Sequence, residues 1–453
     1  MHTIKITQLG AALAACVTLI AHAAPTEDRG EGALFTSIFG DNFEKETGII
    51  VSGLSETTFS RNNNSTHSER HDGMSNFPII GAGDENVEFG SLRLFIDKPL
   101  ESNVIPRVTP LPGPTPEQFS FGLTFEGNYG RNAQFARTFG WDMHWGVNSP
   151  GDDDPAKAQR DKQRFLAVPN LAATAYVPIG TGLTVMAGIF GPGIGYEIPP
   201  DIREARNAFA TKTYALVSEP GTFSGVLMGT RLMSNASGVL GVELGVVQGW
   251  NNLRDNNDSK SLTGAVRWRT PDMKTWVDYE FVVGNEENSS TDDVQAPIQR
   301  LISPDGQLKQ QHSVNGWHAF DEHWSMGAEM VYGHQAGDGK QSTVDIVNGP
   351  GFDGAKWWGA NAVVTYRYRK DLAFSVRGEH FSDPDGFALF PVSAAHGDFN
   401  AVTAGFRYDV NRYLSLRPEL RYDWFDGNRE DHPFGNGRDR NQMTATVDAL
   451  FYF

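Results

Sequence analysis

The sequence predicts an all-β chain that closes as a transmembrane antiparallel up-and-down β-barrel of about sixteen strands, with a range of roughly 14 to 18. Three observations predict it. Apolar and polar residues alternate with a period of two along most of the chain, which places each set on its own face of a strand. Short polar connections alternate with long ones. The chain ends on Phe453, with apolar residues at every second position before it.

Composition narrows the alternatives. A chain of 453 residues suggests about three soluble domains at roughly 150 residues each, but only as a soft prior. With 39% hydrophobic residues the chain is not disordered. Beyond the N-terminus no apolar run approaches the roughly 20 residues of a spanning helix. A formal charge of −17 argues against nucleic acid as a partner. One cysteine, Cys16, excludes a disulfide framework and any multi-cysteine metal site, and no cofactor is expected.

Residues 1–23 read as a secretory signal. His2 and Lys5 give a weakly basic start, 9–20 is apolar, and Ala21-His22-Ala23 supplies the small-x-small pattern of a cleavage site. The lipobox-like Leu13-Ala14-Ala15-Cys16 is disfavoured, because the apolar core runs on through Val17 to Ile20. Cleavage removes Lys5 alone among charged residues and takes −17 to −18. Residues 24–47 are expected to be a short periplasmic segment, and 48–453 the barrel.

Strands are expected at 49–59, 87–97, 118–129, 168–178, 182–191, 222–233, 238–249 and 260–269. A second set is expected at 274–284, 311–320, 323–334, 356–369, 371–381, 400–410, 413–424 and 442–453. The region 135–147 is a candidate for one more. In 118–129, Phe119, Phe121, Leu123, Phe125 and Tyr129 share one parity, against Ser120, Thr124, Glu126 and Asn128. In 402–410, Val402, Ala404, Phe406, Tyr408 and Val410 oppose Thr403, Arg407 and Asp409. In 414–424, Leu414, Leu416, Leu420, Tyr422 and Trp424 oppose Arg417, Glu419, Arg421 and Asp423. The last strand sets Met443, Ala445, Val447, Ala449, Phe451 and Phe453 against Thr444, Thr446 and Asp448.

Connections at 178–181, 233–238, 270–274, 321–322, 370 and 411–412 are short. Those at 60–86, 130–167, 192–221, 250–259, 285–310, 335–355, 382–399 and 425–441 are long. Only the Pro-rich 98–117 breaks the alternation. Short periplasmic turns and long outer loops are what an outer-membrane barrel requires, and an even strand number returns Phe453 to the periplasm. A soluble sandwich would also alternate. It would not bear aromatics near strand ends (Trp268, Trp324, Trp358, Tyr368, Tyr422, Trp424) opposite a face charged at successive inward positions. Lipid and lipopolysaccharide are the expected surroundings, and the terminal Phe453 pattern is the expected signal for the barrel-assembly machinery.

Segments 34–43 (LFTSIFGDNF) and 47–54 (TGIIVSGL) resemble the opening of the OmpL-like β-barrel porins. So do 188–197 (GIFGPGIGYE), 213–215 (TYA) and 222–227 (TFSGVL), and 416–424 (LRPELRYDW) with the final strand. The resemblance spans nearly the whole mature chain and implies an outer-membrane pore. It supplies no solute and no catalytic or binding residue. The long 98–117 and 130–167 depart from a compact version of that pattern.

Other motifs carry little chemistry. Gly191, Gly193 and Gly195 follow a strand, but no Walker Lys-Ser/Thr follows them, so a bend into 192–221 is the better reading. Within that loop, 201–215 (with Ile202, Ala205, Ala208, Phe209, then Leu216) reads as a short helix. It is expected either to fold inward as a constriction or to lie over the rim. Asp152-Asp153-Asp154, Asp255 with Asp258, Asp292-Asp293 and Asp383 with Asp385 lack EF-hand spacing and read as solvated loops that draw cations. His67 with His71, and His312 with His318, lack metal-pair spacing. No G-x-S-x-G elbow is present, so an enzyme is not expected.

If the aromatic parity faces lipid, the other projects Arg267, Arg269, Arg367, Arg369, Arg377, Glu379, Arg407, Asp409, Arg417, Glu419, Arg421 and Asp423 inward. An Arg facing lipid at mid-depth would cost roughly 2–4 kcal/mol. These are the candidate pore-lining residues. Pairing Asp409 with Arg417 and Arg407 with Glu419 would share one register. The strip either neutralises itself or, opposite acidic loops, sets up a transverse field that orders polar solutes. The expected function is an outer-membrane porin, a passive diffusion channel for small hydrophilic solutes and ions, multi-pass and commonly homotrimeric. The alternatives are a plugged surface barrel that acts through its acidic loops in adhesion or scaffolding, and a barrel hydrolase. The sign of ion selectivity stays open between acidic loops and arginine wall.

Overall fold

Period-two patterning becomes a closed wall because every backbone group must find a partner where no water is available, and closure removes the sheet edges. The computed structural model describes residues 33–40, 42–63, 87–107, 109–142, 145, 165–197, 207–255, 257–286, 307–337, 353–389, 393, 395–435 and 437–453. The expected signal at 1–23, with its cleavage site and Cys16, lies outside them, as do His67, His71, Asp152 to Asp154 and Asp292-Asp293.

Two short helices, α1 (Ala33–Phe39) and α2 (Phe43–Thr47), precede the sheet. The strands follow as β1 (Ile50–Asn62), β2 (Val87–Lys98), β3 (Val104–Ile105), β4 (Thr109–Pro110), β5 (Ser120–Gly130) and β6 (Phe165–Val177). Next come β7 (Leu183–Phe190), α3 (Tyr214–Val217), β8 (Phe223–Asn235), β9 (Gly238–Val247), β10 (Ser261–Arg269) and β11 (Thr275–Glu286). The chain ends with β12 (Gln307–Ala319), β13 (Trp324–Ala336), β14 (Gly354–Arg369), β15 (Leu372–Asp383), β16 (Gly397–Asn411), β17 (Leu414–Gly427) and β18 (Asn441–Tyr452). Sixteen of these strands, β1, β2 and β5 to β18, form one closed antiparallel barrel in which each pairs with its sequence neighbour and β18 returns to β1. The amide of Gly53 donates to the Phe453 carbonyl at 2.7 Å, and the amide of Phe453 donates back at 3.0 Å. The Phe35 ring of α1 lies 6.1 Å from the Phe453 ring, so the N-terminal helices gather at the end where the chain finishes.

All sixteen expected segments are strands, the largest displacement being at β12, which starts at Gln307 rather than 311. The face parity also holds. Trp324, Trp358, Tyr368, Phe374, Tyr422 and Trp424 are exposed on the outer surface, while Arg377, Arg417, Arg421, Asp423 and Asp448 are buried inside.

Three expectations need correction. Among the described residues of 135–147 there is no barrel strand: 131–136 is a 3-10 helix, and Phe139 makes only an isolated bridge with Asn252. In 201–215 the described helix is Tyr214–Val217 alone, and 201–206 lie outside the described residues. Asp409 does not face Arg417, nor Arg407 Glu419: Asp409 pairs with Ser415 and Gly405 with Glu419. The two-residue turn at 412–413 sets Asn411 opposite Leu414, and an irregularity between Asp409 and Asn411 shifts the ladder again, so the expected register is unreachable.

The over-long turn 98–117 has a structural reason. It folds back into the barrel, where β3 and β4 form a small hairpin. Ser102 Oγ shares a 2.6 Å hydrogen bond with Thr184 Oγ1, Asn103 donates to the Thr181 carbonyl at 2.6 Å, and Arg231 donates to the Leu111 carbonyl at 2.7 Å.

Candidate functional site in the barrel lumen

The bend read from the glycines starts the main lumen element. Gly193 and Gly195 adopt φ of 63° and 86°, the left-handed region that glycine enters without steric cost. A Cβ at 195 would also overlap the Glu219 carboxylate. From here the chain crosses the inner wall: Arg267 donates to the Gly193 carbonyl at 3.0 Å, the Gly195 amide to Glu280 at 2.7 Å, and the Tyr196 amide to Glu329 at 3.3 Å. Gly327 of β13 leaves the space in which the Tyr196 ring sits.

The loop returns as 207–217, and the wall receives it group by group. Glu419 accepts from the amides of Ala210 (2.7 Å) and Thr211 (3.2 Å) and from the Thr211 hydroxyl. Glu197 accepts from the Thr213 amide at 2.7 Å, and Glu379 from the Tyr214 amide at 2.9 Å. Arginines take the carbonyls: Arg417 donates to Asn207 O at 3.0 Å, Arg377 to Thr211 O at 2.9 Å, and Arg421 to Lys212 O at 2.8 Å. The Tyr214 hydroxyl donates to Asp423 at 2.7 Å. An irregular backbone at membrane depth is tolerated only where its polar groups are satisfied by protein or water, and here charged side chains satisfy them.

The same charges pair laterally. Arg267 contacts Glu243, Asp278 and Glu280 at 3.0, 2.7 and 2.5 Å, and Arg269 pairs with Asp278. Arg377 meets Glu197 at 2.5 Å and Glu379 at 3.5 Å, while Arg421 meets Glu379 at 2.9 Å and Asp423 at 2.8 Å. Arg417 pairs with Asp448 of β18 at 2.6 Å. Of the twelve residues expected on the inner wall, eight (Arg267, Arg269, Arg377, Glu379, Arg417, Glu419, Arg421, Asp423) are buried under the inward loop or in these pairs. Arg407 pairs with Asp409 at 3.1 Å and stays half-buried, and Arg369 pairs with Asp371 at 3.0 Å. Arg367 is exposed and has no carboxylate partner among the described residues.

Sequence reasoning missed Glu197, Glu219, Glu243, Glu280 and Glu329. The last three lie on inward parities and could have been read from them; Glu197 and Glu219 lie in the loop, where no periodicity applies. Burial pushes the Glu197 carboxyl up, but Arg377 and Lys212 bring it below the ordinary carboxylate value. Burial, reinforced by Glu329, holds Glu219 well above it.

Two further regions frame the loop. Toward the outer end, Trp357, Phe381, Phe387, Leu389, Phe399, Phe425 and Phe434 form an apolar cluster that includes Tyr214. Across the lumen, the inner face of β18, β1, β2 and β5 is polar. Ser60, Ser91, Asn128, Gln442, Thr444 and Thr446 are buried there, and Ser91 Oγ, Thr444 Oγ1 and both side-chain polar atoms of Asn128 and Gln442 have no hydrogen-bond partner among the described residues. The 3-10 helix closes over this wall, with Asn132 donating to Glu56 at 2.8 Å and Arg131 paired with Glu88. At the turn end a cavity of about 470 Å³ opens beneath Asn207 and Ala208.

His312 and His318 belong to the outer surface, where they bond to Tyr279 and Thr275 at 2.9 and 2.8 Å. The Asp383 carboxylate accepts from the amides of Phe387 and Leu389, both at 3.0 Å, and so folds its own loop. Among the described residues no cluster of three or more metal-ligating side chains forms.

The family model described as "Putative beta-barrel porin-2, OmpL-like" matches residues 48–453. Among solved structures, the outer membrane channel DcaP of Acinetobacter baumannii is similar with a TM-score of 0.52 at 11% identity, covering 89% of this chain and 97% of that one. OprB of Pseudomonas putida gives 0.51 at 10% identity, covering 95% and 99%. At such identity the likeness is one of fold. No curated protein matches the sequence.

Proposed function

From the premise that this chain belongs to the OmpL-like β-barrel porin family, and is an outer-membrane porin, we propose that small hydrophilic solutes and ions diffuse along the polar wall of β18, β1, β2 and β5. The inward segments 191–197 and 207–217 are the constriction. The observation that supports this is the docking of 207–217 at mid-barrel on Glu379, Glu419, Arg377, Arg417 and Arg421, which leaves the wall richest in hydroxyls and amides facing it. Ser91, Asn128, Gln442 and Thr444 of that wall are buried and have polar atoms with no hydrogen-bond partner among the described residues, so water or solute admitted to the lumen would find hydrogen bonds there. The family supports a channel rather than an enzyme.

The same proposal extends to the ends and the surroundings of the barrel. Residues 1–23 direct export, 24–47 stay periplasmic, and Phe453, paired to Gly53, presents the signal for the barrel-assembly machinery. Lipid and lipopolysaccharide surround the aromatic outer face, and the working unit is a homotrimer. The apolar cluster at the outer end favours one second reading, a plugged barrel that acts through its surface loops.

Single-channel recording of the refolded protein in a planar bilayer under a KCl gradient separates the two. Stable conductance steps are expected, with larger steps after deletion of 196–215. Silent membranes from both proteins, each heat-modifiable on gels, would favour the plugged barrel.

A further inference from the structure

The cavity of about 470 Å³ at the turn end of the lumen has the size of a site for one small organic molecule. Its outer end is closed by Asn207 and Ala208 of the constriction, and its rim is the turn at Lys370 and Asp371. Its walls are of two kinds. Tyr196 and Trp276 stack at 5.8 Å with planes 14° apart, and Trp317 joins them in the lining. This is an apolar floor, held in place because Gly327 has no Cβ to displace Tyr196. The charged part is unbalanced. Asp371 is held by Arg369 and Asp409 by Arg407, both at heavy-atom distances of 3.0–3.1 Å. Arg367 lines the same cavity, is exposed, and meets no carboxylate among the described residues.

The geometry points to a binding station for a small planar organic carboxylate at the periplasmic end of the channel. The ligand's carboxylate lies on the Arg367 guanidinium and its apolar body on the face formed by Tyr196, Trp276 and Trp317. An arginine without an internal partner presents a planar fork that matches a carboxylate in two parallel hydrogen bonds, which a lysine cannot reproduce. An anion is favoured over a neutral sugar, since both acidic side chains of the lining already have arginine partners. The inference rests on the porin reading, and it names a solute class for that channel. A solute held here sits directly under the constriction, so passage and binding are in series.

Benzoate is the probe, with benzamide as its neutral shape analogue and acetate as the carboxylate without a ring. Binding is read by quenching of tryptophan fluorescence in refolded, detergent-solubilised full-length protein. Saturable benzoate binding is expected, with benzamide and acetate each weaker by about tenfold or more. Arg367→Gln is expected to weaken benzoate by a similar factor and leave benzamide unchanged, and Arg367→Lys to recover only part of the loss. Lys274→Gln, which removes a cation from another turn at the same end, is expected to change nothing. Equal binding of benzoate and benzamide, or an Arg367→Gln protein that binds benzoate as the native one does, overturns the proposal. Parallel bilayer recordings keep the two readings apart. Conductance without selective binding sinks only the station, whereas silent bilayers with benzoate binding intact sink the open channel.

Discussion

Two halves of the lumen wall have the same strand geometry and opposite surfaces. From β10 to β17 the inner face carries dense charge, and almost all of it is taken up by ion pairs and by the backbone of the inward loop. On β18, β1, β2 and β5 the charge is sparser, and hydroxyls and amides at Ser91, Asn128, Gln442 and Thr444 have no partner among the described residues. The difference teaches that charge on an inner barrel face does not by itself mark the passage. A loop that descends into the lumen has no secondary structure to satisfy its own N–H and C=O groups, so the wall must supply acceptors and donors at matching heights. Carboxylates and guanidiniums do this best.

The comparison breaks most visibly at Arg421. It donates to Lys212 O, pairs with Glu379 and Asp423, and lies 5.0 Å from the Tyr214 ring centre. Arg421→Gln leaves two buried carboxylates short of their cation, a loss of about 3–5 kcal/mol. Denaturant titration of the refolded barrel is expected to show that loss, and limited proteolysis to cut within 207–217 faster than in the native protein. Glu419→Gln acts in the same direction and by less, since an amide oxygen still accepts from Ala210 and Thr211. Unchanged protease resistance in both variants would mean that the loop is not held by the charged wall.

Next in size is Gly327→Ala. The added methyl overlaps the Tyr196 ring, and overpacking of this kind costs about 1–3 kcal/mol. The shift is local, so the expected signature is altered tryptophan fluorescence from Trp276, the stacking partner of Tyr196, with the barrel still folded.

Which of these features the sequence disclosed follows from what periodicity can carry. A period of two located every barrel strand and the inward parity of Arg377, Arg417, Arg421, Glu419 and Asp423, because one face of each barrel strand meets lipid and tolerates no charge. Glycine positions announced the bend at 193–195, and 201–215 was read as an element able to enter the barrel. Three things were not legible. The register of β16 against β17 depended on an irregularity at Asp409–Asn411 that leaves no trace in the alternation. The inward fold of 98–117 hid behind its prolines, since a hairpin as short as β3 with β4 has no period to detect. The partners of the wall charges are loop backbone atoms, and any sequence supplies those. So the strip could be placed on the inner face but not assigned to the loop it anchors.

Acidity tests the anchoring from another side. Glu219 holds its proton well above the ordinary carboxylate value of 4.5, through burial and then Glu329. Between 4.5 and that raised value the docked loop binds more protons than a released one, so docking weakens as pH climbs through this window. Glu197 has the opposite sign: its value is below 4.5, so its contribution is complete above 4.5 and is lost as pH falls through the docked value. Conductance is therefore expected to be lowest at mildly acidic pH and to rise with alkalinity. Glu219→Gln, which is neutral at every pH, should flatten the alkaline rise. A profile that survives in Glu219→Gln would assign the effect to other groups.

The smallest effect on stability is expected at the wall of hydroxyls and amides, and it is the sharpest test of the division. Thr444 Oγ1 is buried and makes no hydrogen bond, so Thr444→Val keeps the shape of the side chain and removes a group that stabilises nothing within the protein. Replacing such a group by an apolar one of the same shape is close to neutral, within about 1 kcal/mol. Gln442→Leu, on the same face two residues away, behaves alike for the same reason. If solutes and water travel along this wall, the pair of substitutions lines part of the path with methyl groups, and hydrophobic constrictions impede conduction by dewetting. Conductance is expected to fall by roughly half or more in the double variant while the denaturant midpoint stays in place. On the charged half the order reverses, because Arg421→Gln costs stability and opens the lumen. Should the double variant conduct as the native protein does, the path does not follow β18, β1, β2 and β5, and the unpartnered groups there serve only to hold structural water.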